Sequence, residues 1–160
     1  MKRVSKKTAV FDLDGTIINS THRTPNNADG TLDLKRYFEN KTRESIFRDT
    51  LLPLADKMKQ MYDSGQYHIV ICTAREMDQD DFDFLDYHGI KYDEIYERND
   101  VRKKYHWALP DPQYKTKQLK KYKNTSYIFY DDAKPTIDLF NTYPNVNMVD
   151  ANTANGVENG

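Results

Sequence analysis

The sequence predicts an α/β fold in which a mainly parallel five-stranded sheet has helices on both faces. Strand-like apolar runs alternate along the chain with helix-like segments, which is typical of a parallel sheet covered on both sides. With 160 residues, 38% of them hydrophobic, the chain is long enough for one domain with a real core. We therefore predict one domain over residues 1–150 and a small, polar, disordered tail over residues 151–160.

Five short runs are predicted to be the strands of this sheet. The first two are mostly apolar, the pattern of a buried strand, and the other three are shorter. The runs are Thr8–Leu13, Tyr67–Thr73, Tyr92–Tyr96, Tyr127–Tyr130 and Val146–Val149.

Four segments between and after these runs are predicted to be helices. In Pro53–Ser64 the apolar residues Leu54, Met58 and Met61 share one face. Its proline suits a first helical turn, and Gly65 marks its end. The other three segments are Met77–His88, Lys115–Tyr122 and Pro135–Phe140.

The segment from residue 17 to residue 40 is polar and rich in turn residues. Pro25-Asn26-Asn27 and Asp29-Gly30 interrupt it, so it does not fit a core element. Its length of about two dozen residues is less than an independently folded domain usually needs. We predict a small flap inserted over the carboxyl end of the first strand, in place of a full cap domain.

Composition narrows the class of protein but not its partners. The net charge of −1 indicates no particular partner, and the four histidines lack metal-ligand spacing. The single Cys72 cannot form an intramolecular disulfide and fits a reducing compartment. The basic start is not followed by an apolar signal core, and no stretch is long enough to span a membrane. We predict a cytoplasmic protein with no membrane association and no obligate protein partner.

Asp12 and Asp14 lie where the first apolar run ends, and Gly15 and Thr16 follow at once. Residues i and i+2 of a strand point to the same side, so both carboxylates are expected to face one pocket. Gly15 lets the chain leave the strand through a conformation that a larger residue would resist. Two close carboxylates suggest a metal site, or a nucleophile with an acid/base partner. The alternative is an ordinary strand followed by an Asp-Gly turn.

The ends of the predicted strands are the positions where a ligand is expected. Parallel α/β sheets bind ligands beyond the carboxyl ends of their strands. Besides Asp12–Thr16, this rule brings Thr73–Glu76 and the Asp131-Asp132 pair to the same edge. Three polar clusters that are distant in sequence are therefore predicted to meet in one site.

The ordered set of motifs resembles the haloacid dehalogenase superfamily of phosphatases. The first motif, Asp-x-Asp-Gly-Thr after an apolar strand, matches Asp12–Thr16. The second, a strand ending in Ser or Thr, matches Thr73; the third, a helix Lys, matches Lys115 or Lys117; the fourth, a paired Asp, matches Asp131 and Asp132. The match covers nearly the whole chain and implies a Rossmann-like fold of that superfamily.

Within the superfamily, the chain resembles the phosphatase half of phage polynucleotide kinase-phosphatases. That family has an arginine soon after its first motif, as Arg23 is here, and an Arg-Glu pair after its second, as Arg75-Glu76 is. It also has an aspartate four residues before its motif lysine, which matches Asp111 and favours Lys115 over Lys117. The sequence contains no Gly-x-x-x-x-Gly-Lys loop, so the resemblance covers the phosphatase part only.

The resemblance implies a Mg²⁺-dependent phosphatase that forms an aspartyl-phosphate. Mg²⁺ would be held by Asp12, the Asp14 backbone carbonyl and the Asp131/Asp132 pair. Which aspartate of that pair binds the metal directly is left open. Asp12 would be the nucleophile and Asp14 the acid/base. Thr73 and Lys115 would stabilise charge on the phosphoryl group. The residues expected to bind substrate are Thr16, Arg23, Arg75 and Asp111.

Several alternatives stay open for the substrate and for individual residues. Arg23 and Arg75 are expected either to bind a substrate phosphate or to form surface salt bridges. Asp111 is expected to orient one of them or to cap a helix. The basic runs Arg102–Lys104 and Lys117–Lys123 suit either a nucleic acid backbone or a solvated face.

The predicted substrate is a nucleotide or the 3′-phosphate end of a nucleic acid. The alternatives are a small-molecule phosphatase and a catalytically silent nucleic-acid- or protein-binding domain. Fold alone does not separate these classes.

Overall fold

A computed structural model describes residues 5–24, 27–29, 31, 33–98 and 109–156. Its strands are β1 (Lys7–Phe11), β2 (Ile18–Asn19), β3 (Thr50–Leu51), β4 (Tyr67–Cys72), β5 (Glu94–Tyr96), β6 (Tyr127–Asp131) and β7 (Val146–Asp150). Its helices are α1 (Leu34–Glu39), α2 (Arg43–Phe47), α3 (Pro53–Asp63), α4 (Gln79–Tyr87), α5 (Asp111–Gln118), α6 (Lys134–Phe140) and α7 (Ala151–Ala154). Short 3₁₀ turns cover Thr21–Arg23 and Lys120–Tyr122. Within these ranges, no helix has the length and apolar character needed to cross a bilayer.

The main sheet has five parallel strands in the order β5-β4-β1-β6-β7. The predicted five-stranded parallel sheet is therefore confirmed. From the central β1 the chain first builds the side with β4 and β5, and then crosses to build the side with β6 and β7. Such a reversal opens a crevice at the carboxyl ends of the two strands that flank it. Here those strands are β1 and β6, which carry the predicted aspartates.

Alternate residues of β1 and β4 enter two separate apolar layers. Phe11 and Ile71 pack on one face with Met58 of α3 and Phe84 of α4. On the other face Val10, Val70, Cys72 and Phe129 pack with Phe140 of α6. Both faces of the strands are buried, as expected for a parallel sheet that is covered by helices on both sides.

The insertion extends beyond residue 40, where the sequence predicted its end. It contains α1 and α2 and closes with an antiparallel pair in which Ile18 faces Leu51. The Leu52 amide then donates to the Ile17 carbonyl at 2.8 Å, which brings the two ends of the insertion together. Residues 17 and 52 therefore bound it. Both helices are short, and neither was predicted; the Asp33 and Thr42 side chains cap their first turns.

The prediction of a disordered tail is wrong for residues 151–156. Asp150 caps α7 by accepting from the Asn152 amide, and Ala151 is fully buried. The Asn155 side chain accepts from the Leu54 amide at 2.8 Å and donates to the Thr16 carbonyl at 2.9 Å. These long-range hydrogen bonds order a segment whose composition is that of a flexible terminus. Residues 157–160 lie outside the described residues.

Candidate active site

The loop after β1 places Asp12 and Asp14 at the carboxyl edge of the sheet. The Asp12 amide donates to the Tyr130 carbonyl at 3.0 Å, which holds it against β6. The next turn is tight: the amides of Thr16, Ile17 and Ile18 all point to the Leu13 carbonyl, at 3.0–3.1 Å. The Thr16 hydroxyl lies 3.4 Å from Oδ2 of Asp12. Thr16 is fully buried, so its hydroxyl helps to fix the position of the Asp12 carboxylate.

Three carboxylates and one lysine form the centre of the site. Oxygen atoms of Asp12, Asp131 and Asp132 lie within 4.8 Å of one another. Lys115 Nζ donates to Asp131 Oδ2 at 2.6 Å and lies 3.1 Å from Asp12 Oδ1. The Ala133 amide fixes the second oxygen of Asp131 at 2.9 Å. The site thus concentrates negative charge beside the buried Lys115 ammonium.

The electrostatics of this centre suit a divalent cation. Burial raises the pKa of Asp12 well above its ordinary value; Lys115 opposes that rise, and the Asp131, Asp132 and Asp14 carboxylates add to it. Burial and the neighbouring Asp131 raise the pKa of Asp132 to about 6. Although burial lowers the pKa of Lys115, Asp12 and Asp131 raise it above its ordinary value, so its cation persists. A cluster of hard oxygen donors that repel one another is the donor set that Mg²⁺ prefers.

Gly15 provides the space in which the Asp132 side chain lies. Its φ of +78° is in the left-handed region, and a Cβ at this position would lie 2.0 Å from Asp132 Oδ2. Any larger residue would therefore strain the backbone and push Asp132 away from Asp12.

Gly15→Ala is therefore expected to impair both stability and catalysis. The left-handed backbone should cost about 1 kcal/mol or more, and displacement of Asp132 should reduce kcat/KM on the order of 100-fold. Gly65→Ala is the matched control, because Gly65 has φ +71° but a Cβ added there would meet nothing within 4 Å. Thermal denaturation should show a loss for both variants, larger for Gly15→Ala because of the added contact with Asp132, and phosphate release should show a loss for Gly15→Ala alone. Equal activity in the two variants would contradict the role given to the Gly15–Asp132 contact.

The Asp14 side chain is turned toward Arg75 and is not part of the carboxylate cluster. Arg75 donates to both Asp14 oxygens, with Nε at 3.1 Å from Oδ2, and the Ser20 hydroxyl donates at 2.7 Å. Although burial raises the pKa of Asp14, the charge and hydrogen bonds of Arg75 and the bond from Ser20 lower it to about 2. Asp14 is thus ionised at neutral pH in this arrangement.

Arg75 and Arg23 belong to a largely buried ion-pair network that the sequence did not predict. Arg75 also donates to Asp81 at 2.8 Å and lies 3.8 Å from Asp49. Arg23 binds Asp49 through Nε and Nη2, at 2.9 and 2.8 Å. The network, which we call the arginine network, consists of Arg23, Asp49, Arg75, Asp81 and Asp14. It ties the insertion to the loops after β1 and β4.

The arginine network changes what the two arginines can do. Both are buried, so neither forms the surface salt bridge that was the alternative. Arg75 lines the cavity around Asp12, but Arg23 lines a separate small cleft on the outside of the insertion. A direct bond from Arg23 to a substrate phosphate is therefore not what this arrangement favours. Asp49 and Asp81 carried no local signal, because their role depends on partners 26 and 6 residues away.

Thr73, Lys115 and Asp111 all line the cavity, in different settings. Thr73 is buried and accepts from the Arg75 amide at 3.0 Å. Asp111 lies at the rim and pairs with Arg98 at 2.7 Å, so it neither caps α5 nor orients Arg75 or Arg23. The helix begins at Asp111, which puts Lys115 in its second turn, facing the carboxylates.

Lys117 instead lines a second groove of about 950 Å³ on the flank of α5. Lys120, Lys121 and Lys123 share this groove, and Lys121 pairs with Glu94. The structure thus assigns the predicted basic run to a surface separate from the carboxylate site. The other predicted basic run, Arg102–Lys104, lies outside the described residues.

A cavity of about 620 Å³ opens above the carboxylates. Its floor holds Asp12, Asp132 and Lys115, and one wall is formed by apolar residues of α1, which were not predicted from the sequence. The wall residues are Leu34, Tyr37 and Phe38. Their spacing is that of one face of a helix, and this pattern was the available signal. The volume is within the range typical of small-molecule sites.

Comparison with known proteins identifies related sequences. The profile of the family described as bacteriophage T5 5′-deoxynucleotidase matches residues 1–159. The 5′-deoxynucleotidase of Escherichia phage T5 is 31% identical over 175 residues, covering 92% of this chain and 68% of that protein.

Solved structures share the fold at lower sequence identity. A chain of the Pnkp1/Rnl/Hen1 RNA repair complex superposes with a TM-score of 0.63 at 22% identity, covering 91% of this chain but only 42% of its own length. A haloacid dehalogenase superfamily hydrolase from Geobacter sulfurreducens gives a TM-score of 0.60 at 14% identity, covering 91% and 89%. A hydrolase from Streptococcus pneumoniae gives 0.57, also at 14% identity, covering 91% and 92%. The predicted haloacid dehalogenase fold is confirmed.

Proposed function

Because this chain belongs to the bacteriophage T5 5′-deoxynucleotidase family, we propose that it removes the 5′-phosphate from 2′-deoxynucleoside monophosphates. Its family and fold make it a phosphatase-type hydrolase. The observation that carries the proposal is the position of Asp12, buried beside Lys115 at the floor of a 620 Å³ cavity. A carboxylate nucleophile for phosphoryl transfer needs such a neighbouring cation, because the phosphate repels it.

In the proposed first step, an Asp12 carboxylate oxygen attacks phosphorus and the bond from phosphorus to the nucleoside oxygen breaks. The electron pair goes to the leaving oxygen, and the product on the enzyme is an aspartyl-phosphate. Lys115 offsets the negative charge of the phosphoryl group, since its ammonium is 3.1 Å from Asp12. Thr73, buried at the end of β4, lines the same cavity and supplies a hydroxyl to a phosphoryl oxygen.

Asp14 is proposed to move the protons of both steps. The leaving oxygen needs a proton in the first step, and the water that cleaves the aspartyl-phosphate must lose one in the second. An ionised Asp14 suits the second role, and its ion pair with Arg75 favours that form. For the first role the carboxyl must be protonated, so we propose that its ion pair with Arg75 loosens when substrate enters. Arg75 is then a positioning residue, anchored on its other side by Asp81.

Mg²⁺ is the proposed cofactor. Asp12, Asp131, Asp132 and the Asp14 backbone carbonyl are the groups that would hold it. When bound, it would supply positive charge that neutralises the phosphoryl group. The donor set supports this proposal, because oxygen atoms of three carboxylates that repel one another lie within 4.8 Å, and a bound cation would offset that repulsion. The hydrogen bond from Lys115 holds the Asp131 carboxylate in place.

A substrate panel tests the proposed function. Phosphate release should be measured from deoxynucleoside and ribonucleoside 5′-monophosphates, 3′- and 5′-phosphorylated oligonucleotides and sugar phosphates. We expect kcat/KM for deoxynucleoside 5′-monophosphates to exceed that for sugar phosphates by at least about tenfold, because an extended apolar wall favours a substrate with a base. The Asp12→Asn protein serves as the blank for contaminating phosphatases.

Three other results of the panel would each favour a different function. A preference for 3′-phosphorylated oligonucleotides would replace the mononucleotide with a nucleic acid end. A preference for sugar phosphates would make the protein a metabolite phosphatase. Release from none of the substrates, in the presence of Mg²⁺, would support a catalytically silent domain.

A further inference from the structure

The apolar face of α1 is directed into the catalytic cavity. Leu34, Tyr37 and Phe38 are spaced three and four residues apart, so they lie on one side of the helix. None of the six residues of α1, all of which the structure describes, is buried in the protein core. An amphipathic helix usually packs this face against the core, and here the face borders the cavity instead.

The exposure of this face is unusual for the protein. Leu34 is 61% exposed and Phe38 is 51% exposed, and they are two of the three large hydrophobic side chains exposed in the described part of the chain. Exposed apolar patches on a soluble protein usually mark a site of interaction. Both side chains line the cavity that contains Asp12. We therefore expect the substrate to provide the apolar contact that the protein core does not give them.

Tyr37 holds the face in position. It is half-buried, its ring lies edge-on to Phe38 with centroids 5.4 Å apart, and the Arg23 guanidinium lies 5.9 Å from its centre. Arg23 is in turn bound by Asp49 through two hydrogen bonds. The arginine network therefore fixes the aromatic wall relative to the loop that carries Asp12 and Asp14.

We propose that Leu34 and Phe38, supported by Tyr37, form a platform on which the base of a nucleoside monophosphate stacks; this inference rests on the proposed nucleotidase function. The cavity joins a charged floor to an apolar wall, and a nucleotide joins a phosphate to a flat base in the same way. A sugar phosphate would place hydroxyl groups against the wall, where the side chains of Leu34 and Phe38 offer them no hydrogen bond. The base is the part of the substrate that the platform fits.

The platform has a consequence for base selectivity. Stacking on an aromatic or apolar surface depends on the flat face that every base presents, and it distinguishes bases only weakly. Purine and pyrimidine deoxynucleoside monophosphates should therefore be used with similar efficiency. The platform is expected to bind any of the bases, so contacts elsewhere would have to distinguish one base from another.

The test compares substrates with and without a base. In Phe38→Ala the KM for 2′-deoxyadenosine 5′-monophosphate should rise roughly tenfold, the loss expected when one stacking partner is removed. The loss for 2-deoxyribose 5-phosphate, which has no base, should be at least about fivefold smaller. Phe38→Tyr keeps an aromatic face and should restore the KM. Tyr87→Ala is the control, because Tyr87 is a 76% exposed aromatic residue that does not line the cavity.

A binding measurement separates the platform from the proposed function. Saturation-transfer NMR with 2′-deoxyadenosine, which has no phosphate, should show the strongest transfer to the base protons in the wild type. Phe38→Ala should lose this signal and Tyr87→Ala should keep it. Equal kinetic losses on the two phosphorylated substrates, or no transfer to the base in the wild type, would overturn the platform. Transfer to the base in a protein that cleaves no nucleotide would support the platform and refute the nucleotidase.

Discussion

Asp12→Asn should reduce phosphate release from every substrate by about 10⁴-fold or more, the scale seen when a catalytic nucleophile is removed. The amide does not attack phosphorus, and it is a poorer ligand for Mg²⁺ than the carboxylate. The fold should persist, because burial and three neighbouring carboxylates already disfavour the charge of Asp12 in the native protein. Thermal denaturation should therefore show a melting temperature equal to that of the wild type or above it.

Rapid quenching with ³²P-labelled substrate distinguishes a nucleophile from a residue that only binds. The wild type should retain label on the protein within the first turnover, and Asp12→Asn should retain none. Asp138→Asn is the matched control, since Asp138 is an exposed aspartate that pairs with Lys134 on α6. Label on Asp12→Asn, or more than a hundredth of wild-type turnover in a folded Asp12→Asn protein, would exclude the aspartyl-phosphate at this residue.

Removal of divalent metal should abolish activity in the same assay, with a loss of roughly 100-fold or more. Without the metal, Asp12 and Asp132 repel the phosphate, and Lys115 is already shared between Asp12 and Asp131. Added Mg²⁺ should restore phosphate release. Full activity in excess chelator would exclude a catalytic metal.

Asp132→Asn tests which carboxylate matters for the metal. Asp131 is fully buried and bound by Lys115 and the Ala133 amide, so its replacement would disturb the fold as well as the metal site. Asp132 is only partly buried. Its amide variant should raise the Mg²⁺ concentration needed for half-maximal activity by about tenfold or more.

A readout apart from activity completes the metal test. Mg²⁺ that binds the native state should raise the melting temperature of the wild type. The rise should be smaller in Asp132→Asn and unchanged in Asp138→Asn. An unchanged Mg²⁺ requirement in Asp132→Asn would assign the metal to other residues.

The central part of the site followed from the sequence because it depends on local pattern and one general rule of topology. Apolar runs form strands, strands that alternate with helices form a parallel sheet, and the ends of such strands meet at one edge. Asp12, Thr73 and Asp131 come directly after or at the end of such runs. Their meeting did not require knowledge of any particular side-chain contact. The preference for Lys115 over Lys117 came from the family resemblance; in the structure Lys115 faces the carboxylates and Lys117 lines the other groove.

The environment of the arginines depended on the tertiary structure. Arg75 meets Asp14 across 61 residues of sequence, and Arg23 meets Asp49 across 26. A charged residue in a loop has many possible partners, and burial decides which pair forms because an unpaired buried charge is costly. That choice is made by packing of the whole insertion, which carries no strong periodic pattern.

Tertiary contacts also decided which way the apolar face of α1 points and that residues 151–156 are ordered. Residue spacing defines an apolar face on α1 but not what it faces, and here it faces the cavity. Asn155 is ordered by partners 101 and 139 residues away. Sequence pattern thus determined the elements that are stabilised by their own periodicity and by burial in the sheet. Tertiary structure alone decided the features whose free energy comes from single hydrogen bonds and ion pairs between distant segments, because nothing in the local sequence specifies those partners.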